Sequence, residues 1–264
     1  MAAGLSLAFV VAHPDDDAYG IAGSVALHAA DPGFRFVLVH ATNGEAGDLR
    51  EGFPATRETL GSIRRQEDDA AWRAVGRVPN RHEWLGYSDG GLDKVPFDEL
   101  VGAVEAILVQ EQPTVVGTFG PDGIFGHPDH IAIGAATDAA FMRHASTTGT
   151  SFRRLLHGAI PQSVFERWNR QRAQLDLPVF DPTAMYQMRG VPDADIGLTV
   201  DCRSVAHRIV AGLQEHRSQH HVIFDDATDT ERWKRIVSRE WAVIAWPPRP
   251  TSTRVLTDVF EDLP

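Results

Sequence analysis

Two copies of the tripeptide His-Pro-Asp bring imidazole and carboxylate groups together in this sequence. The first copy begins at His13 and continues into two further aspartates, and the second begins at His127 and is followed by His130. Zinc sites in hydrolases commonly use three His or carboxylate ligands and leave one position for water. The two motifs therefore predict a catalytic metal site, with side chains left over for proton transfer.

The spacing within the motifs allows a site with three protein ligands. His13 and Asp16 lie three residues apart, so both side chains can face one point in a tight turn, and His130 can supply a third ligand. Spacing alone does not decide whether Asp15 or Asp16 binds the metal. An aspartate before a helix is commonly an N-cap instead, but titratable groups in both motifs make capping a poor sole explanation.

The elements around the motifs predict an α/β fold with a doubly wound, mostly parallel, Rossmann-like sheet and helices on both faces. Near-continuous apolar runs predict strands at 5–12, 34–40 and 114–119, with weaker candidates at 81–85 and 152–160. Between them, apolar residues recur about every 3.6 positions and predict helices at 20–30, 59–75, 97–110 and 131–144. Both motifs follow strands, where ligands bind in such sheets.

We expect a single domain over residues 1–264, with its core at about 1–160. Residues 163–195 are polar, contain several prolines and show no sustained period, which predicts an insertion or lid at the pocket rim. A strand at 196–200 and a helix at 204–214 then return to the core as a C-terminal extension that ends near residue 220.

Composition excludes several classes of function. The net charge of −11 argues against nucleic-acid binding, which needs clustered cations, and against docking on anionic membranes. The apolar run at 5–12 is too short to span a bilayer. It also lacks the preceding Lys or Arg that a signal peptide would have. One cysteine, Cys202, excludes an intramolecular disulfide. We expect a cytoplasmic protein without stable membrane insertion, and find no readable signal for a homo-oligomer.

The two His motifs, in this order, resemble the PIG-L/LmbE family of zinc-dependent N-deacetylases. Weaker fragments agree, namely Thr-Asn-Gly-Glu at 42–45, Arg64 with Glu67, Leu-Gly-Tyr-Ser-Asp at 85–89 and His-Arg-Ser-Gln at 216–219. The resemblance implies hydrolysis of an N-acyl group, usually acetyl, from a small amino-sugar conjugate. It implies Zn²⁺ as cofactor, and a His₂-carboxylate set also suits Fe²⁺.

The resemblance also implies roles for individual residues. Asp15 would be the general base, and His127 would polarise the carbonyl, stabilise the oxyanion or protonate the leaving amine. Asp129 would support a histidine from the second shell, while Arg64 and Asp89 would contact sugar hydroxyls. The implied metal ligands are His13, Asp16 and His130.

One departure concerns Phe125, which stands where mycothiol-type deacetylases carry a tyrosine, so no hydroxyl is available there. This argues against a mycothiol-precursor enzyme but leaves the metal ligands unchanged.

Two other functions compete with this interpretation. Ser88 lies in a Gly-x-Ser-x-Gly pattern typical of serine hydrolases, but the glycines and proline that follow oppose the helix that a nucleophile elbow requires. A non-catalytic zinc or sugar-binding protein is the second, although structural zinc sites usually have four ligands. The remaining histidines, including His40 and His82, stand singly in the sequence and are predicted to have ordinary structural roles.

Overall fold

A seven-stranded sheet runs through the computed structural model, which describes residues 5–224, 229–250 and 253–263. Its strand order is β3-β2-β1-β4-β5-β7-β6. The strands are β1 (Ser6–Val11), β2 (Arg35–Thr42), β3 (Arg81–Tyr87), β4 (Val115–Phe119), β5 (Arg154–Gly158), β6 (Ile196–Asp201) and β7 (Arg239–Trp246).

The first five strands run parallel, and β7 lies antiparallel between β5 and β6. Helices connect the parallel strands, so the mostly parallel α/β sheet predicted from the alternating pattern is confirmed. Strands β1, β2 and β4 are buried along almost their whole length, because near-continuous apolar sequence suits a strand covered on both faces.

Ten helical segments flank the sheet within the described ranges. They are α1 (Asp16–Gly20), α2 (Ala22–Leu27), α3 (Arg57–Val75), α4 (Phe97–Glu111), α5 (Gly123–Gly126), α6 (Pro128–Met142), α7 (Gln162–Gln174), α8 (Ala206–Glu215), α9 (His220–Ile223) and α10 (Thr230–Ile236). Short 3₁₀ turns occupy Leu92–Lys94, Asp193–Asp195 and Arg217–Gln219. None of the described helices is long and apolar enough to cross a membrane.

Helix α3 shows how sequence pattern becomes packing. Its residues Leu60, Trp72 and Val75 are buried, and the Trp72 ring lies 4.7 Å from that of Phe36 on β2. On its other side α3 packs against α8, where a Cβ on Gly212 would stand 2.8 Å from Val75. The small residue therefore allows the two helices to approach closely.

Two elements differ from expectation. Strand β7 was not predicted, and the segment 163–195 contains α7, although no sustained period was found there. Only Val164 and Phe165 of α7 are buried, so its apolar face is too narrow to mark a helix in the sequence. The residues 1–4 used in the leader argument lie outside the described ranges.

The position of β1 creates the crevice in which the motifs meet. Strand β1 pairs with β2 on one side and with β4 on the other, so the strand order changes direction at this point of the sheet. Such a switch point opens a crevice at the carboxyl ends of the strands. The first His motif follows β1 and the second follows β4, so the two motifs lie at the ends of adjacent strands.

Candidate active site

The turn between β1 and α1 holds the first motif in an unusual backbone conformation. Asp15 has φ of 100°, which is rare for a residue with a side chain. The backbone N–H of His13 donates to Asp16 Oδ2 over 2.8 Å and closes the turn on itself. Strained backbone of this kind concentrates at functional sites, where surrounding contacts hold it.

His13, Asp16 and His130 converge on one point. His13 Nδ1 lies 3.3 Å from Asp16 Oδ2 and 3.2 Å from His130 Nε2, and His130 Nε2 lies 3.2 Å from Asp16 Oδ1. Bond lengths of 2.0–2.1 Å at a tetrahedral zinc would separate neighbouring ligand atoms by about 3.3 Å. These three side chains therefore fit a divalent metal of that size and form one of the groups able to hold such an ion.

The ring of His130 is fixed by its surroundings. Its Nδ1 lies 3.2 Å from the carbonyl oxygen of Gly123, and the ring stacks on Phe119 with centroids 4.0 Å apart. A carbonyl partner requires the proton on Nδ1 and leaves the Nε2 lone pair facing the other two ligands.

His13 is oriented by two carboxylates. Its Nε2 lies 2.9 Å from Asp89 Oδ1 and 3.3 Å from Asp129 Oδ2. Asp129 is fully buried and also accepts backbone N–H groups of Gly90 and Leu92 at 2.7 and 3.0 Å. This contact suits the expectation that Asp129 supports a metal-binding histidine. Asp89 also contacts this proposed metal ligand, and its contact with sugar hydroxyls stays a prediction.

The buried charges of this cluster stabilise one another. Burial alone would lower the pKa of His13, but its hydrogen bonds with Asp129, Asp16 and Asp89 raise it well above the usual value. Burial would likewise raise the pKa of Asp16, but His130 and His13 hold it well below its usual range. The two histidines thus keep Asp16 ionised, which is the state in which a carboxylate binds a cation.

Asp15 lies beside the cluster and faces Arg64. The Arg64 Nη2 atom donates to Asp15 Oδ2 over 3.1 Å, and Arg64 Nη1 donates to the carbonyl oxygen of Gly44. Arg64 was expected to contact sugar, but it is buried against the turn and contacts the proposed base. Burial raises the pKa of Asp15 to about 7, with Arg64 opposing the rise and Asp16 adding to it.

His127 occupies the N-cap of α6. Its Nδ1 accepts the backbone N–H of Asp129 over 3.1 Å, and its ring centroid lies 4.8 Å from those of His13 and His130. Burial lowers the pKa of His127 to about 4, and the neighbouring His13 and His130 add to that shift. Because Nδ1 accepts, the neutral ring carries its proton on Nε2.

A second grouping, His13 with His127 and Asp129, also brings ligand atoms together. It suits a metal less well, because both Asp129 oxygens already accept backbone N–H groups and His127 Nδ1 is committed to the cap. In the grouping with Asp16 and His130, a backbone N–H donates to Asp16 Oδ2, whereas Asp16 Oδ1 and the two facing imidazole nitrogen atoms contact no backbone group among the described residues.

Two of the remaining family fragments contact each other. Glu67 on α3 accepts the backbone N–H and the hydroxyl of Ser218 at 2.8 and 2.7 Å. His216, two residues before Ser218, is fully buried, and this burial lowers the pKa of His216 to about 4. The contacts between Glu67 and Ser218 tie the carboxyl-terminal fragment to α3, the helix that carries Arg64.

The structure also places residues that sequence reasoning did not assign. Tyr186, in the segment 163–195, brings its ring to 5.3 Å from that of His127 in an edge-on contact. Asp17 accepts a hydrogen bond from Trp72 Nε1 and lies 3.4 Å from His40 Nε2. The third aspartate in the first motif was the available signal for Asp17, whereas Tyr186 has no sequence motif around it.

Ser88 lacks the surroundings of a serine nucleophile. It is exposed just after β3, and the chain continues through the 3₁₀ turn Leu92–Lys94 before α4 begins at Phe97. A nucleophile elbow needs a helix directly after the serine. The expectation that this context fails is confirmed.

Comparisons with known proteins agree with this geometry. The family model described as PIG-L: GlcNAc-PI de-N-acetylase matches residues 8–141, which include both His motifs. The 1D-myo-inositol 2-acetamido-2-deoxy-alpha-D-glucopyranoside deacetylase 2 of Saccharopolyspora erythraea is 31% identical, over 82% of this chain and 84% of the relative. The corresponding deacetylase of Acidothermus cellulolyticus is also 31% identical, over 81% of this chain and 79% of the relative.

Solved structures share the fold at lower identity. A conserved protein from Thermus thermophilus superposes with a TM-score of 0.60 at 23% identity, covering 95% of this chain and 99% of that one. The N,N'-diacetylchitobiose deacetylase from Pyrococcus horikoshii gives a TM-score of 0.56 at 20% identity, covering 89% and 76%. These structures share the fold, while the matched family model and the relatives at 31% identity show that this chain belongs to the PIG-L family of de-N-acetylases.

Proposed function

We propose that this protein hydrolyses the acetamide of a small N-acetylglucosamine-containing molecule, releasing acetate and a free amine. The observation that carries the proposal is the convergence of His13, Asp16 and His130, with ligand atoms 3.2–3.3 Å apart, beside Asp15 and His127. A site of three ligands keeps a position for water, as hydrolysis requires.

We propose zinc as the metal at this site, held by His13 Nδ1, His130 Nε2 and the Asp16 carboxylate. A divalent cation held there supplies Lewis-acid activation of water and of the amide carbonyl. Fe²⁺ is the main competitor, because two imidazoles and one carboxylate also suit ferrous iron. Asp129 and Asp89 would hold His13 in the orientation that binding requires.

Asp15 acts as the general base in this proposal. Its carboxylate takes a proton from the attacking water, and the Arg64 guanidinium holds that carboxylate in place. The proton then passes to the amine nitrogen as the carbon–nitrogen bond breaks, so that the products are a free amine and acetate. A base with a pKa raised by burial toward neutrality matches this double task.

His127 acts as a neutral hydrogen-bond donor. Its Nδ1 is occupied by the backbone N–H of Asp129, so its Nε2–H can be directed at the carbonyl oxygen that gains negative charge during attack. Its low pKa keeps the ring uncharged at neutral pH, which favours this role over that of a proton-carrying acid. Asp15 therefore carries the proton and His127 stabilises the charge.

The substrate class follows from the relatives. Those at 31% identity are named as deacetylases of a 2-acetamido-glucopyranoside of inositol. We propose that the acetamido sugar is common to their substrates and the present one, while Phe125 changes the surroundings of the reacting carbonyl. The group attached to the sugar would then be one other than inositol, or it would be inositol bound in a different way.

The proposal is tested by assaying amine release from N-acetylglucosaminyl-inositol and N,N'-diacetylchitobiose with the purified protein. We expect turnover that is abolished by a chelator, restored by Zn²⁺ or Fe²⁺, and insensitive to a fluorophosphonate. Inhibition by the fluorophosphonate would instead support the serine hydrolase that uses Ser88. A protein that binds metal and sugar but releases no amine would be the non-catalytic alternative.

A further inference from the structure

A second group of histidines and aspartates lies beside β2 and β3 and contains none of the ligands described above. His40 on β2 and His82 on β3 bring Nδ1 and Nε2 to 3.0 Å, although they were expected to stand singly. Asp68 on α3 completes the group, and one ligand atom from each residue lies within 4.8 Å of the other two. We propose that this group, the His40 cluster, binds a second divalent metal ion.

The residue types favour zinc or a related first-row ion. Two imidazoles and a carboxylate are the donors that such ions prefer, whereas Mg²⁺ and Ca²⁺ prefer oxygen alone. His82 Nε2 lies 3.6 Å from Asp68 Oδ2, and His40 Nε2 lies 3.9 Å from Asp68 Oδ1. These separations are wider than the separation of about 3.3 Å expected around zinc. The 3.0 Å contact with His82 uses the other ring nitrogen of His40, Nδ1, so an ion bound at His40 Nε2 requires the His82 ring to turn toward Asp68.

The strongest argument is the unsatisfied state of Asp68. Its side chain is fully buried, and neither carboxylate oxygen has a hydrogen-bond partner among the described residues. The Nε2 atom of buried His40 also lacks one there. Buried polar atoms are nearly always paired, because leaving a carboxylate without partners is costly. A bound cation would satisfy all three atoms at once.

Asp17 offers a fourth ligand and indicates a structural role. Its Oδ1 lies 3.4 Å from His40 Nε2, close to the separation of two ligands on one zinc ion. Four protein ligands close a zinc site and leave no position for water. The ion would then join β2, β3, α3 and α1, and it would hold the aspartate that directly follows the catalytic ligand Asp16.

The surroundings allow an ion to enter without exposing the centre. The His82 side chain is 14% exposed and forms the outer edge of the cluster, whereas those of His40 and Asp68 are inaccessible. The Trp84 ring stacks on His40 with centroids 4.4 Å apart, and the guanidinium of Arg65 covers Trp84 in turn. Burial lowers the pKa of His82 to about 3, so its lone pair is available at neutral pH.

A metal-free cluster would need another way to accommodate two carboxylates. Burial and the neighbouring Asp17, through its charge and a hydrogen bond, raise the pKa of Asp68 well above its usual value, so Asp68 can hold a proton and donate it to Asp17 when no ion is present. That arrangement predicts one metal per chain and is the alternative that the experiment must separate from the proposal.

The test is the number of zinc ions per chain after chelation, reloading and removal of excess metal. We expect two in the wild type and one in His82→Ala, with affinity for the second ion reduced by more than about 100-fold, since even outer partners of a ligand contribute about 10- to 100-fold. His144→Ala is the matched control, because His144 contacts a carboxylate, Glu105, outside any such cluster. It should retain both ions.

Two further variants make the result independent of activity and of folding. His13→Ala should lose the catalytic ion and retain the second one, with a zinc-dependent rise in melting temperature. Asp68→Asn keeps the shape of the side chain and should bind one ion even where His82→Ala does not fold. A wild type that saturates at one ion would overturn the proposal, as would a second ion that persists in both cluster variants.

Discussion

His127 uses its two ring nitrogen atoms for different tasks. The Nδ1 atom caps α6, which is the ordinary structural role of a residue at this position, and the cap in turn assigns the proton to Nε2. Structural and catalytic interpretations of this residue are therefore compatible. They can be separated by a substitution that preserves only one of them.

The variant His127→Asn keeps a side-chain acceptor at the N-cap and removes the Nε2 donor. We expect turnover to fall by about 10²- to 10³-fold, because one charge-stabilising donor is lost, while the melting temperature and metal content stay close to those of wild type. His127→Ala should lose the same activity and, in addition, about 1 kcal/mol of stability. Loss of the metal in His127→Asn would make this residue a ligand.

Asp15 is tested by the isosteric change Asp15→Asn. The amide cannot accept the proton of the attacking water, so turnover should fall by about 10²- to 10⁴-fold while one zinc ion remains at the catalytic ligands. The neighbouring change Asp16→Asn serves as the control and should lose that ion. If Asp15→Asn lost the ion and Asp16→Asn retained it, the roles of the two aspartates would be exchanged.

Much of the site could be predicted because its ligands lie in two short motifs at strand ends. His13, Asp16 and His130 need only the adjacency of β1 and β4, which the parallel pattern implies. The contact of Asp89 with His13 could not be foreseen, because it depends on the path of the loop after β3. A single aspartate in a loop has no sequence pattern that would predict a contact with a histidine on another loop.

The pairing of His40 with His82 needed the strand register. Leu38 pairs with His82 across β2 and β3, so His40, two positions further along β2, shares a face of the sheet with His82. Sequence alone predicted both strands but not their alignment. A one-residue shift would place the two rings on opposite faces, which is why the histidines stood singly until the register was known.

The fold was predictable where burial is two-sided and less so at the end of the sheet. Strands β1, β2 and β4 are apolar throughout, whereas β7 mixes Arg239 and Glu240 with apolar residues. Glu240 is partly buried and accepts hydrogen bonds from the backbone N–H of Gly23 and from the backbone N–H and the hydroxyl of Ser24. Because these partners come from α2, distant in sequence, nothing local marks β7 as an interior strand.

The segment 163–195 was predicted to shape the pocket rim, and this remains a prediction. Tyr186 is the residue through which it can be tested, because its ring contacts that of His127. Ring contacts of this kind are worth about 0.5–1.5 kcal/mol, so Tyr186→Ala should raise KM by about 2- to 10-fold with unchanged metal content. Tyr186→Phe keeps the ring and should behave as wild type. An unaltered KM in Tyr186→Ala would remove this segment from the pocket.

The carboxyl-terminal residues are joined to the first helices by a pair that depends on pH. His28 Nε2 lies 2.8 Å from Asp258 Oδ2, and the His28 ring packs against Phe34 and Phe260. The hydrogen bond to Asp258 raises the pKa of His28, although partial burial acts in the opposite direction. Burial alone would raise the pKa of Asp258, but the contact with His28 outweighs this effect and lowers it.

The sign of the pH dependence follows from these directions. A histidine whose folded pKa is raised stabilises the fold fully below its unfolded pKa of about 6.5, and this stabilisation is lost as pH rises through the folded pKa. The variant Asp258→Asn should therefore lower the melting temperature at about pH 5.5 and have little effect at about pH 9. Equal effects at both pH values, measured by thermal unfolding, would show that the pair is not ionised.

The turn after β1 places Asp16 among the proposed catalytic ligands and Asp17 beside the His40 cluster, with one peptide bond between them. Two binding events that share a turn are thermodynamically linked, and the linkage is reciprocal. Whatever factor an ion at the His40 cluster applies to zinc affinity at the catalytic ligands, the catalytic ion applies to the His40 cluster. Electrostatic repulsion between the ions weakens both, whereas ordering of the turn strengthens both. The catalytic zinc affinity of His82→Ala therefore reports which of these two effects prevails.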